Sequence, residues 1–154
     1  MRISAQPIDD VHFAPYGTLV RRPAVAGRLP LDGLRCNDAA GTLCASLSRV
    51  DPGRLPAVVP RMERHPDAVQ MFVPVSAERY LAITALGADA PSTETLRAFL
   101  VPGDLGIAYG IGVWHIPMTV LDGPATFLVL MHRLAPERDE EWHTLAEAIE
   151  IAGP

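Results

Sequence analysis

The sequence predicts a small all-β barrel of the jelly-roll kind, finished by one C-terminal α-helix. Three observations carry that expectation. The 154 residues include 15 prolines and 12 glycines, which leaves little room for long helices. Turn residues recur about every ten positions, and the stretches between them alternate apolar and polar side chains with a period of two. With 49% hydrophobic and 20% charged residues, the chain suits one domain, residues 1–154, with a sizeable core.

Taken in order, Phe13-Ala14-Pro15-Tyr16-Gly17 reads as a turn into a short strand at Thr18–Arg21, and residues 22–38 form a loop rich in Pro and Gly. Thr42–Val50 alternates clearly, with Leu43, Ala45 and Leu47 on one face and Cys44, Ser46 and Ser48 on the other. Further strands are expected at Val58–Arg64, Val69–Val75, Tyr80–Ala85, Ala98–Val101, Gly106–Tyr109, Val113–Leu121 and Ala125–Arg133. Gly87 to Pro91, Pro102-Gly103-Asp104 and Asp122-Gly123-Pro124 mark turns between them. From Pro136 the period changes: Trp142, Leu145, Ala146 and Ile149 follow the i, i+3, i+4, i+7 rule of an amphipathic helix. Glu137, Asp139, Glu140 and Glu141 would sit in its first turns, where the helix dipole favours negative charge.

Composition narrows the function. All thirteen positive residues are arginine and lysine is absent, which excludes Schiff-base chemistry, lysine-bound pyridoxal phosphate and a Walker-type phosphate loop. Arginine suits two-pronged recognition of a carboxylate, so a small anionic substrate is expected. The net charge of −5 and the scattered arginines argue against nucleic acid. No apolar run approaches the ~20 residues of a membrane helix. Cys36 and Cys44 read as reduced thiols and Met1 to Asp10 is mixed and polar, so a cytoplasmic protein is expected.

Two histidine-bearing segments stand out: Glu63-Arg64-His65-Pro66 with Gln70, and Gly112-Val113-Trp114-His115-Ile116-Pro117. On a strand, residues two apart share a face, so Glu63 and His65 can look into one cavity and His115 can meet them from another strand. The same parity points Arg64 away. The spacing Glu63-x-His65-x4-Gln70 resembles the first cupin motif, and Gly103-x6-Gly110-x-Gly112-x2-His115 resembles the second. The resemblance implies a cupin-like double-stranded β-helix, or jelly-roll, barrel. Glu63 stands where histidine is usual and Gln70 where glutamate is usual.

More specifically, the chain resembles the ureidoglycolate lyase family, a cupin-like branch. The match rests on Met62-Glu63-Arg64-His65-Pro66 with Gln70, Phe72 and Pro74, on Leu96-Arg97-Ala98-Phe99, and on Tyr109 with Val113-Trp114-His115 and Pro117-Met118. Phe13, Tyr16 and Gly17 match the opening signature, and Thr126-Phe127 with Arg133 the late strand. The resemblance implies a lyase that cleaves ureidoglycolate to glyoxylate and urea in purine and allantoin breakdown, and a homodimer. It departs from the family at Ala108, Gly110, Ile111 and Ile116, where many bacterial members carry polar or charged groups.

That reaction needs a base for the hydroxyl proton, an acid for the departing urea nitrogen and a cation for the carboxylate. His115 or His65 would be the base, because histidine titrates near neutrality, and Glu63 would orient or protonate. Gln70 and Tyr109 would bind substrate oxygens, Arg97, Arg133 or, less favoured by parity, Arg64 would hold the carboxylate, and Trp114 could wall the pocket. Two other readings stay open. One is a metal-dependent cupin enzyme of another reaction type, with His65, His115, Glu63 and Gln70 around Ni, Mn, Zn or Fe. The other is a non-catalytic small-molecule binder. His12, His132 and His143 are weaker candidates.

Overall fold

The structure is a computed structural model that describes residues 1–31 and 33–154; Asp32, in the predicted 22–38 loop, lies outside the described residues. The N-terminal part holds β1 (Arg2–Ser4), β2 (Gln6–Pro7), α1 (Asp10–Phe13) and β3 (Gly17–Val20). The middle holds β4 (Thr42–Val50), β5 (Ala57–Arg64), β6 (Gln70–Ser76), β7 (Arg79–Ala85), β8 (Arg97–Pro102) and β9 (Gly106–Tyr109). Then come β10 (Trp114–His115), β11 (Thr119–Leu121), β12 (Ala125–Arg133), α2 (Pro136–Asp139) and β13 (Glu141–Ala152).

The strands form two facing sheets. The larger has the order β1-β13-β5-β10-β7-β8-β2, with β11 also on β7, and the smaller has the order β3-β9-β6-β12-β4. This is the expected all-β barrel of two sheets. One core belongs to the larger sheet alone and includes Met62, Ile83, Trp114, Ile149 and Ile151. A second takes residues from both sheets, among them Phe13, Phe72, Tyr80, Phe99, Tyr109 and Phe127, and a third, smaller one holds Val20, Val69, Met71 and Ala108. The aromatics of the second meet edge to face, as in Phe13 with Phe99 at 5.5 Å and Tyr80 with Phe127 at 5.2 Å, a geometry the ring quadrupoles favour. Among the described residues no helix is long and apolar enough to cross a membrane.

The predicted C-terminal helix is not there. Residues 141–152 form β13, which lies between β1 and β5 and supplies the backbone partners of both. Its pairing with β5 runs from Glu141 opposite Arg64 to Thr144 opposite Arg61, then shifts and resumes at Ile149 opposite Val59. The interruption inserts extra residues on the β13 side, and it lets a segment with helical spacing place His143 against one part of the core and bury Ile149 and Ile151 in another. Tertiary pairing overrode local propensity. The acidic residues accordingly cap no long helix: Glu141 pairs with Arg64, and Glu140 accepts from the Trp142 indole.

Smaller differences follow the same physics. The expected strand Val113–Leu121 divides into β10 and β11 around Pro117, which has no N–H to donate to the ladder. The alternation of β4 is present, but this edge strand is exposed on both faces from Thr42 to Leu47, so Leu43 and Leu47 are not packed inward. The short β1, β2 and α1 carry little pattern; α1 is set by Asp9, whose side chain accepts from the Val11 and His12 amides.

Candidate active site

Strand register builds the site. In the larger sheet Trp142 lies opposite Glu63, Glu63 opposite His115, His115 opposite Thr84, and Thr84 opposite Arg97. Residues directly opposite one another share a face, so these five form one row across β13, β5, β10, β7 and β8. In the smaller sheet Gln70 lies opposite both Tyr109 and Met131. The two rows meet at His115. Its Nε2 is 3.1 Å from the Gln70 side-chain oxygen position, and its ring stacks on Tyr109 at 4.2 Å and 20°.

His65 follows the last residue of β5 and keeps the parity of Glu63. Its ring centroid is 5.4 Å from that of His115. The turn carrying the second motif is tied to the first, because the Gly112 amide donates to the His65 carbonyl at 2.9 Å. Gly112 does this at φ 72, a left-handed conformation that glycine adopts without steric cost. Glu63, His65, Gln70 and His115 are all buried.

The tautomers of both histidines follow from their outer partners. His115 Nδ1 lies 2.9 Å from the Val113 carbonyl and His65 Nδ1 lies 2.6 Å from the Asp139 carbonyl. Carbonyls only accept, so Nδ1 carries the proton in each ring and Nε2 keeps its lone pair. The Gln70 amide satisfies His115 when it turns its NH2 toward that lone pair. Glu63 Oε1 is 3.6 Å from His115 Nε2. One ligand atom each from Glu63, His65 and His115 lies within 4.8 Å of the other two. Two histidines oriented by backbone carbonyls, plus one carboxylate, are a donor set suited to a divalent cation.

Burial tunes these groups. Desolvation pushes the Glu63 carboxyl up to about 7; the nearby Glu140 charge adds to the rise, and Arg61 and Arg133 oppose it. Desolvation lowers His115 to about 3, with the neighbouring His65 adding to the effect. His65 is also lowered, chiefly by burial, against the opposing bond to Asp139. Burial raises Tyr109, which keeps it a phenol. The site therefore pairs a carboxyl that holds its proton near neutrality with two imidazoles that hold lone pairs.

Three buried polar atoms here have no hydrogen-bond partner: His65 Nε2, Tyr109 Oη and Thr84 Oγ1. Each such group costs about 1–3 kcal/mol, so three around one histidine mark a place built for a polar guest. Thr84 is absent from the sequence expectations. Its signal was a polar side chain inside the apolar run Leu81-Ala82-Ile83-Thr84-Ala85.

The other expected residues divide. Trp114 points into the opposite core, where its indole donates to the Gly87 carbonyl and the Arg64 guanidinium lies 4.5 Å from its ring. Arg64 also pairs with Glu141, so it faces away as parity requires. Arg97 ends the Glu63 row but donates to the Glu94 and Leu96 carbonyls. Arg133 stands closer to the chemistry: its charge acts on Glu63 and His65, and it pairs with Asp139 at 3.2 Å. Arg61 shares the face of Glu63 and stacks over Trp142 at 4.2 Å.

Cavity size and chemistry point to different places. A cavity of about 660 Å³ is lined by Leu34, Arg35, Cys36, Ile111 and His132, and one of about 390 Å³ by Tyr16, Arg35, Tyr109 and Ile111. Neither is lined by Glu63, His65 or His115. The converging, unpartnered polar atoms define the site, because open grooves on a surface cost nothing to leave empty.

Several known proteins are similar to this chain. Two relatives are the proteins named ureidoglycolate lyase from Salmonella typhimurium strain LT2 and from Salmonella paratyphi B. Each is 33% identical over 139 residues, covering 84% of this chain and 87% of the relative. Among solved structures, RmlC from Streptococcus suis in complex with dTDP-D-xylose superposes with a TM-score of 0.47 at 12% identity, over 62% of this chain and 46% of that one. A family model described as ureidoglycolate lyase matches residues 1–152, and the chain belongs to that family.

Proposed function

We propose that this protein is a lyase that cleaves ureidoglycolate to glyoxylate and urea, a step of purine and allantoin breakdown. The observation that carries the reading is the pairing, in a member of this family, of a proton-holding Glu63 with lone-pair His115 at 3.6 Å inside a buried, incompletely bonded polar cluster. The carbinol carbon of the substrate bears a hydroxyl, a carboxylate and the ureido nitrogen. His115 Nε2, freed as the Gln70 amide turns from it to a substrate oxygen, takes the hydroxyl proton while the carbon–oxygen double bond forms, with His65 Nε2 as the alternative. The carbon–nitrogen bond breaks, and protonated Glu63 delivers a proton to the leaving nitrogen. One proton is taken and one is given. The imidazolium then returns its proton to the adjacent Glu63 carboxylate, which restores the starting state.

Arg133 holds the substrate carboxylate, exchanging its bond to Asp139 for one to the ligand. Gln70 and Tyr109 donate to substrate oxygens. Glu63, His65 and His115, with Gln70 beside them, fit a divalent cation such as Ni, Mn, Zn or Fe, which when bound would supply Lewis-acid polarisation of a substrate oxygen.

The expected assembly is a homodimer in the cytoplasm. Supporting it, β4 leaves a nine-residue sheet edge with Leu43 and Leu47 at 53% and 70% exposure, and such edges are commonly covered by pairing. Glyoxylate release from ureidoglycolate, with and without added divalent cation, tests the reading. No turnover under either condition refutes it.

A further inference from the structure

We propose that Thr84 is a substrate-binding residue whose hydroxyl receives the ureido group. The inference rests on the lyase reading and adds to it the orientation of the substrate. Thr84 is completely buried, and its Oγ1 has no hydrogen-bond partner. It stands directly opposite His115 on β7, as Glu63 stands opposite His115 on β5. Glu63, His115 and Thr84 therefore occupy three adjacent strands on one face, spanning about 10 Å at ~4.8 Å per strand. A substrate with its reacting carbon and leaving nitrogen at His115, within reach of Glu63, extends the carbonyl and terminal amide of its ureido group toward Thr84.

The charges decide which end is which. Arg61 and Arg133 act electrostatically on Glu63 against the opposing Glu140, and Arg133 also acts on His65. Arg133 is the cation assigned to the carboxylate, on the side of Glu63 and His65. Arg97, the next residue in the row beyond Thr84, is occupied by the Glu94 and Leu96 carbonyls. The Thr84 end thus offers an uncharged hydrogen-bonding group, its own unpartnered hydroxyl. A threonine hydroxyl both donates and accepts, matching the carbonyl and N–H groups of an uncharged ureido substituent. The rest of β7 on this face, Tyr80 and Ala82, is packed in the shared core, so a valine at position 84 would satisfy packing equally well. The hydroxyl has no structural employment.

The test compares Thr84→Val, which removes only the hydroxyl, with Thr84→Ser, which keeps it. Melting temperature, kcat and KM for ureidoglycolate are measured, together with calorimetric binding of N-carbamoylglycine, the analogue lacking the carbinol hydroxyl. The expected result is a Thr84→Val protein that melts no lower than the wild type but loses about tenfold in kcat/KM and in analogue affinity, the loss of one hydrogen bond of ~1.4 kcal/mol. Thr84→Ser keeps both within about threefold. Wild-type kcat/KM and analogue affinity in Thr84→Val, or equal losses in both variants, overturn the proposal while leaving the lyase reading intact. Should the wild type bind the analogue without turning over ureidoglycolate, the lyase reading fails and the binding comparison still judges Thr84. A wild type that does neither refutes both.

Discussion

His115 Nε2 and Glu63 Oε1 face each other at 3.6 Å, on neighbouring strands and in register, with His115 only 1% exposed and Glu63 8%. Their ordinary proton affinities are reversed. Burial raises the carboxyl to about 7 and lowers the imidazole to about 3, so between those values the proton resides on Glu63 and the lone pair on His115. That is the arrangement a concerted deprotonation and protonation needs at the start of a turnover.

Replacing His115 by alanine should lower kcat by about 10²–10⁴-fold, the usual contribution of a positioned acid or base. The His65→Ala variant gives the comparison. If His115 is the base, His65→Ala retains more activity, and stopped-assay kinetics on the two proteins decide the order. Metal analysis of the same proteins reads the second role of these residues: any bound divalent cation should be lost from both variants, since each removes one of three donor groups that lie within 4.8 Å of one another.

The pH dependence follows from the raised carboxyl. In protein treated with chelator, kcat/KM should be level between about 3 and about 7 and fall about tenfold per pH unit above that range as Glu63 loses its proton. Glu63→Gln should abolish that limb. The sign for stability is the same. A group whose pKa rises from 4.5 to about 7 on folding contributes fully below 4.5, and that contribution is lost as pH rises through the folded value. Denaturant melts at pH 4.5 and pH 8 should show the wild type losing more stability over this interval than Glu63→Gln.

Arg133 is held by Asp139 at 3.2 Å, and the same Asp139 accepts from the Leu134 amide while its carbonyl fixes His65. Removing the guanidinium in Arg133→Ala should raise KM about 10–100-fold with a smaller change in kcat, as expected for loss of a charge-assisted bond of ~1.5–3 kcal/mol. Asp139→Asn weakens the competing ion pair and should lower KM. An unchanged KM in Arg133→Ala would move the carboxylate to Arg61.

Gly112 adopts φ 72 while its amide bonds to the His65 carbonyl. A Gly112→Ala substitution has open space for the added methyl, so its effect is conformational strain of about 1–2 kcal/mol. A drop of about 2–8 °C in melting temperature, with kcat reduced as His65 shifts, checks this in one preparation.

Much of this site was legible in the chain because β-strand parity is strict. Glu63 and His65 had to share a face, and Arg64 had to leave it; both relationships hold, and Arg64 ends on Trp114 and Glu141. Trp114, adjacent to His115, had to point the opposite way by the same rule, which the motif match obscured. Thr84 was hidden for a different reason. A threonine in an apolar strand carries no motif, and only the pairing of β7 with β10 reveals that it stands opposite His115 on the same face.

The amino-acid sequence by itself determined the all-β class, the bounds of most central strands, the absence of lysine chemistry and the convergence of Glu63, His65 and His115. Those features depend on local alternation, turn residues and short spacings, all of which act between near neighbours in the chain. Tertiary structure alone decided that residues 141–152 are a strand, that β4 is an exposed edge, and that Thr84, Tyr109 and Arg133 stand around His115 or Glu63. Each of these depends on which strand finds which partner. A segment such as Leu145 to Ile149, whose spacing fits a helix, becomes β13 because β1 and β5 leave backbone groups that only another strand can satisfy.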